Sequence, residues 1–486
     1  MPQFVGSINR YPGRASLSWY GGLIVLGFLL LYFLPACAAD PSRPLSVLDA
    51  LFTSTSASCV TGLVVRSTAN DFSLLGQAVI LGLIQLGGIG IMTVTTFIVV
   101  QFDKRGSLRQ RKAIADTLGA DKLRRSRIGP VREKRGRDGQ SDLRRILTSV
   151  LTMTALCEAT GFVVLGAYNL LNFQRFATLG VWESPGEALW HAFFHSVSAF
   201  CNAGFALNDS SLTPFADSWI VNGTIGLLIV IGGLGFPVVI DLWRSRQRPA
   251  AERWGGLQLH SKIMLIGSAA LLLVGFLSFL ILEKDGVLSG APVSERIVKA
   301  ALHSASCRTA GFNSVEMSDL SHASLFLTIL LMMIGAGPCS TGGGFKVTTA
   351  AIIGLRAWAT FQGYSRVNLF RRTLPIASVE RAVATAMLFV GLAGIALTTV
   401  LVIEQGEFGL RTEQGLFLDV LFEVISALGT VGLSTGMTTQ LTDASRLIVV
   451  LLMLLGRLGP ITTFVALSHS ERAEPVEYPN DEPLVG

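Results

Sequence analysis

Four short segments of the 486-residue chain end alike: two small, polar or β-branched residues, a glycine, then a large apolar residue. They are Cys59-Val60-Thr61-Gly62 before Leu63, Cys201-Asn202-Ala203-Gly204 before Phe205, Arg308-Thr309-Ala310-Gly311 before Phe312, and Gly429-Thr430-Val431-Gly432 before Leu433. The chemistry these segments share lies in the backbone. Glycine admits conformations that a β-carbon excludes. Carbonyls turned toward one axis can replace the hydration shell of a dehydrated cation. The bulky neighbour after each glycine wedges the loop against its surroundings.

A second constellation runs Gly335-Ala336-Gly337-Pro338-Cys339-Ser340-Thr341-Gly342-Gly343-Gly344. Pro338 removes a backbone donor, and five glycines in ten residues disfavour a helix. The expectation is a mobile loop over 335–346 that interrupts a span inside the protein, beside a water-filled path and below the four glycines. Lys346 marks its cytoplasmic side. Arg457 stands 25 residues after Gly432; Gly88, Gly233 and Ala336 stand 26, 29 and 25 residues after their own loop glycines. A charge at that depth must be hydrated, paired or hydrogen-bonded, and loop carbonyls suit its five donors. Its charge would also oppose cation passage; packing or an inter-subunit contact is the alternative.

Asp49 and Asp419, near the starts of short helices, suit either the favoured first turn or a cation funnel at an outer mouth. Glu423 lies deeper and needs a partner, for which Arg308 is a candidate. Glu158, mid-span, invites a polar neighbour or a cavity. His191, His195 and His303 read as packing or hydrogen-bonding residues, because the i,i+4 pair lacks the glutamate of a zincin motif. The six cysteines lie mostly in apolar segments without metal-ligand spacing. No His-Glu-x-x-His or Gly-x-x-x-x-Gly-Lys-Ser/Thr motif occurs, and the chain does not read as an enzyme.

The elements that position these residues follow from hydropathy. The chain is 50% hydrophobic and 15% charged, too apolar for an ordinary soluble globule. Eight long apolar runs are expected as spans: Trp19–Ala39, Leu74–Val100, Ile146–Leu171, Ser218–Ile240, Ile263–Leu282, Leu325–Ile353, Ala382–Ile403 and Leu447–Leu467. In alternate gaps sits a stretch of about ten helix-compatible residues, about half the hydrocarbon thickness. Each leads into one of the four glycine segments. The fold class is therefore an all-α polytopic membrane protein of four pseudo-symmetric helix–pore loop–helix repeats around a central ion pathway. Repeats cover 17–100, 146–243, 263–355 and 382–467. Between and after them lie a basic cytoplasmic loop (101–145), cytoplasmic connections (244–262 and 356–381) and a cytoplasmic tail (468–486). The 101–145 loop carries fifteen Lys or Arg against six Asp or Glu, which places it and both termini in the cytoplasm. The net charge of +6 thus mostly records topology and says little about nucleic acid. A solvated loop is the simpler reading of 101–145, with membrane lipid or a cytosolic partner as the alternative contact. A cleaved signal peptide is disfavoured, because the first apolar run has 21 residues without a charge.

The glycine segments, Gln85-Leu86-Gly87-Gly88-Ile89-Gly90, and Gly335-Ala336-Gly337 with Ser340-Thr341-Gly342-Gly343-Gly344 together resemble the Trk/Ktr/HKT superfamily of potassium uptake proteins, closest to the Ktr-type membrane subunit and its shorter branch. The resemblance covers nearly the whole chain. It implies K+ held at backbone carbonyls of the four segments as the transported ion, with Na+ as a candidate second ion and no organic cofactor. It also implies a gating loop formed by Gly335, Gly337, Ser340, Thr341, Gly342, Gly343 and Gly344 with Arg457. A homodimer in the inner (plasma) membrane, regulated by cytosolic nucleotide-binding subunits, is implied as well. Cys201 and Cys307 depart from the pattern, where a polar and a hydroxyl residue are commoner. A secondary carrier with broken helices is the rival architecture, but it predicts two matching halves rather than four like loops.

Overall fold

The computed structural model describes residues 12–40, 44–105, 138–370, 372–408 and 415–459. Most of the basic 101–145 loop and all of the 468–486 tail lie outside them.

The first repeat contains α1 (Pro12–Phe33), α2 (Val47–Cys59) and α3 (Leu74–Arg105). The second contains α4 (Asp138–Leu171), α5 (Pro185–Phe200), α6 (Trp219–Leu234) and α7 (Phe236–Ser245). The third contains α8 (Leu259–Leu282), α9 (Val293–Ser306), α10 (His322–Met333) and α11 (Val347–Phe361). The fourth contains α12 (Ile376–Phe408), α13 (Leu416–Gly429) and α14 (Asp443–Leu458). A two-residue hairpin, Asn368–Leu369 with Arg372–Thr373, joins α11 to α12.

Of the eight expected long spans, four are single helices long and apolar enough to cross a membrane among the described residues, or five if a bent pair counts as one span. The four are Ser16–Phe33, Thr148–Leu171, Leu259–Leu282 and Ile376–Gln405, the opening helix of each repeat. They expose large apolar side chains such as Leu26, Leu156, Leu277 and Ile395, as a lipid-facing surface requires. Two closing helices are interrupted, whereas α3 is one continuous helix of 32 residues and the last expected span, Leu447–Leu467, extends beyond the described residues. In the second repeat α6 and α7 bend by 98° at Gly235, whose φ is +88°. Pro237 follows in the first turn of α7, where its missing N–H is harmless. In the third repeat α10 stops at Met333 and α11 starts at Val347.

One local device recurs four times. Ser73, Ser218, Ser321 and Thr442 each accept a hydrogen bond from the backbone N–H three residues on, capping α3, α6, α10 and α14. From cap to small-residue position (Gly88, Gly233, Ala336, Arg457) the count is 15 in every repeat. The unequal spacing seen in sequence therefore arises wholly in the linker before the cap. The last two repeats share a further tie. Glu283 and Glu404, near the ends of α8 and α12, accept from the N–H and hydroxyl of Ser321 and Thr442.

The half-length helices α2, α5, α9 and α13 are the most enclosed elements. Ala50 and Phe52–Cys59 of α2 are all buried, five of them Ser or Thr. Two of these hydroxyls are satisfied by nearby carbonyls: Ser54 donates to Ile24 O at 2.7 Å and Thr55 to Leu51 O at 2.8 Å.

Candidate ion-pathway site

Each half-length helix ends at a residue pattern that reverses the sign of φ twice. Val60, Asn202, Thr309 and Thr430 have φ of 56°, 57°, 66° and 49°. Two residues later Gly62, Gly204, Gly311 and Gly432 have φ of 92°, 73°, 76° and 90°. A β-branched residue in the left-handed region is an outlier that costs about 1–3 kcal/mol and persists only where surroundings impose it. Here the imposing contacts are visible. Ser56 and Ser426, six residues before their glycines, accept from Gly62 N and Gly432 N at 3.1 Å each. Ser198 donates to Phe205 O at 2.8 Å and Ser426 to Leu433 O at 2.6 Å. Ala305 stands at that position in the third repeat, so this brace is missing there. These serines were not singled out in sequence; their constant offset from each glycine was the available signal.

The four loops close a ring. A β-carbon on Gly62 would overlap Ala203 O, and one on Gly204 would lie 2.9 Å from Ala310 O. One on Gly311 would lie 2.8 Å from Val431 O, and one on Gly432 would overlap Thr61 O. The cycle 62–204–311–432–62 thus visits every repeat once, in chain order, and each contact is to the carbonyl preceding the next glycine. Gly87, Gly232 and Gly456 have a separate role. A β-carbon there would strike the carbonyls of Ser58, Phe200 and Leu428, so closing helices sit directly on the ends of the half-length helices.

Residues 334–346 lie against the inner face of this ring. Gly342 and Gly343 abut the Thr309 and Thr430 hydroxyls, and Gly344 faces Gly429 O. The Thr341 hydroxyl and the Asn202 amide are hydrogen-bonded at 3.1 Å. The neck is closed by Gly335 N to Phe345 O at 2.7 Å and Val347 N to Ala336 O at 3.3 Å. Gly337 N and Thr341 N donate to Gly233 O and Gly232 O of α6. Cationic donors hold the remaining carbonyls. Arg457, 1% exposed, donates to Thr341 O, to Gly87 O at 3.0 Å and to the Tyr20 hydroxyl at 3.2 Å. Lys346 reaches Gly342 O and Gly343 O at 2.8 and 3.2 Å, within the loop itself.

Other expected partnerships differ. Glu423 accepts from the Ser434 and Thr438 hydroxyls, the latter at 2.6 Å, rather than from Arg308. Arg308 donates instead to Gly335 O at 3.1 Å and Ser268 O at 3.4 Å. Backbone and hydroxyl groups within reach satisfied both charges locally. Asp49 lies beneath Arg66 at 2.9 Å and Arg446 at 3.7 Å, a tie between the first and fourth repeats. Glu158 accepts from Gln85 at 3.0 Å and stands beside the Cys201 thiol. His195 accepts from Leu207 N at 3.3 Å, and His303 pairs with Thr328 and stacks on Phe279. Among the described residues no group of three or more His, Cys, Asp or Glu could hold a metal ion.

Residues 32–475 match the TrkH family of cation transport proteins. The chain belongs to that family. It is 36% identical over 446 residues to the Ktr system potassium uptake protein B of Vibrio alginolyticus, covering 91% of this chain and 89% of that one. It is 33% identical over 443 residues to the potassium/sodium uptake protein NtpJ of Enterococcus hirae, covering 90% of each. The crystal structure of the potassium transporter TrkH from Vibrio parahaemolyticus superposes with a TM-score of 0.64 at 19% identity, covering 93% of this chain and 82% of that one. As a TrkH-family member the chain is an all-α polytopic membrane protein and an ion transporter, not an enzyme.

Proposed function

We propose that this chain is the membrane subunit of a K+ uptake system, passing K+ through the ring of Gly62, Gly204, Gly311 and Gly432. The observation that carries the proposal is the closed cycle in which each ring glycine faces the next repeat's carbonyl. A uniform β-strand points successive groups to opposite sides. The alternating sign of φ at Val60/Gly62 and its three counterparts lets successive carbonyls face one side, as a dehydrated cation requires. K+ is the ion because the relatives are named potassium uptake proteins. The potassium/sodium name of one relative supports Na+ as a second ion that accelerates or accompanies uptake.

The 335–346 loop is the gate: it lies under the ring, and Arg457 fastens its tip at Thr341 O. The same charge opposes cations below the ring. A homodimer regulated by cytosolic nucleotide-binding subunits fits the "system" named in the relatives, with the basic cytoplasmic segments as their docking surface. The cytoplasmic placement of both termini rests on the distribution of Lys and Arg.

The test is uptake by the purified chain in proteoliposomes under opposed K+, Na+ and Li+ gradients. K+-driven flux exceeding Na+ flux is expected; equal flux of all three ions, or none with the regulatory subunits present, would overturn the proposal.

A further inference from the structure

Three residues before each ring glycine stand Cys59, Cys201, Arg308 and Gly429. Only the third repeat places a long cation there, and it is 92% buried. Among the described residues no carboxylate forms an ion pair with it. Its backbone belongs to the third ring loop, immediately before Thr309, whose φ is 66°. Its side chain reaches the neck of the intramembrane loop, donating to Gly335 O at 3.1 Å, with a second bond to Ser268 O of α8 at 3.4 Å. That neck is narrow. Gly335 N bonds Phe345 O, Ile334 bridges Phe345, and a β-carbon on Gly335 would lie 3.1 Å from the Thr309 methyl. Two guanidinium groups from different repeats therefore grip one loop, Arg457 at its tip and Arg308 at its neck.

We infer that Arg308 is a second latch, a positioning residue that fixes the neck of the intramembrane loop to the third ring loop and so couples ion selectivity to the loop's position. The inference rests on the ring and gate proposed above. A burial this deep with no anion is costly unless the donors are used, and two of them are used on backbone carbonyls, one at the loop neck and one on α8. Because the third repeat lacks the serine brace, the Arg308–Gly335 bond replaces it: the neck supports the ring loop and the ring loop anchors the neck.

The two latches predict different failures. Arg457→Ala frees the tip while the neck holds, so basal K+ flux rises and the K+/Na+ flux ratio stays near wild type. Arg308→Gln frees the neck, so the ratio falls severalfold and alkylation of Cys339, a free thiol between neck and tip, accelerates by about tenfold, the change expected for one charged hydrogen bond. Arg308→Lys, able to reach one carbonyl instead of two, should fall between. Ratios come from proteoliposome flux of the full chain, and Cys339 reactivity from peptide mass spectrometry after N-ethylmaleimide. A wild-type ratio with wild-type Cys339 reactivity in Arg308→Gln overturns the latch; if that variant does not fold, the same pair of wild-type values in Arg308→Lys does so. If Arg457→Ala leaves basal flux unchanged while Arg308→Gln speeds Cys339 alkylation, the gate fails and the neck latch stands. If Arg457→Ala raises flux and Arg308→Gln changes neither readout, the gate stands and the latch fails.

Discussion

Replacing Arg457 with alanine removes one charged hydrogen bond from the loop tip and two from elsewhere. Thr341 O loses its guanidinium donor, whereas Gly87 O keeps the Tyr20 hydroxyl at 3.0 Å. The loop therefore bears the asymmetric loss. A hydrogen bond to a charged group is worth about 1.5–3 kcal/mol, which corresponds to roughly 10- to 150-fold in the population of loops displaced from the ring. If loop displacement limits conduction, basal K+ flux without regulatory subunits rises by a factor within that range. Lysine separates two causes. Arg457→Lys keeps the charge but cannot serve Thr341 O, Gly87 O and Tyr20 together. Flux near wild type in Arg457→Lys assigns the block to charge; flux near that of alanine assigns it to the latch. The assay is K+-selective electrode efflux from proteoliposomes, with size-exclusion profiles to confirm assembly. Wild-type basal flux in a correctly assembled Arg457→Ala protein refutes the gate.

Three further outcomes are expected. Ser426→Ala or Ser56→Ala strands a buried ring N–H, destabilises the fold by about 1–3 kcal/mol and lowers the K+/Na+ ratio. Ser198→Ala, which removes only the hydroxyl donor to Phe205 O, does so less; thermal shift and flux ratios on the same samples check both. Arg66→Ala changes stability by less than about 1 kcal/mol because its side chain is 45% exposed, whereas Asp49→Ala removes the carboxylate that Arg66 and Arg446 share, leaving Arg446 with Asp443 at 3.8 Å, and lowers the melting temperature more. Glu423→Gln keeps the shape but removes the charge that Ser434 and Thr438 hold near the fourth ring loop, so half-maximal uptake should need more K+, read from concentration-dependent flux.

The repeats were legible because half-length helices, ring glycines and the small-residue positions that follow them recur in near-constant phase, and that recurrence survives without coordinates. The break at 334–346 was legible for a local reason, the Pro338 and glycine run. The 98° bend at Gly235 was hidden because hydropathy is continuous from Ser218 to Ile240. Its signal, Gly235-Phe236-Pro237, is a C-cap glycine followed by a first-turn proline, which a window average erases. Side-chain partners were the least legible. Sequence reasoning sought opposite charges for Glu423 and Arg308, but both were satisfied by hydroxyls or backbone carbonyls that only the folded loops bring near. Arg457 was readable because three equivalent positions hold Gly or Ala, so its size and charge stood out.

The most direct test of the ring is serine substitution at Gly62, Gly204, Gly311 and Gly432, one at a time, with K+/Na+ flux ratios measured in proteoliposomes. All four positions require positive φ and have a neighbouring carbonyl within 2.9 Å of the added β-carbon. The account predicts that each substitution lowers the ratio or abolishes flux, because disturbing one carbonyl disturbs a closed cycle. Wild-type ratios and rates in all four folded variants would contradict it.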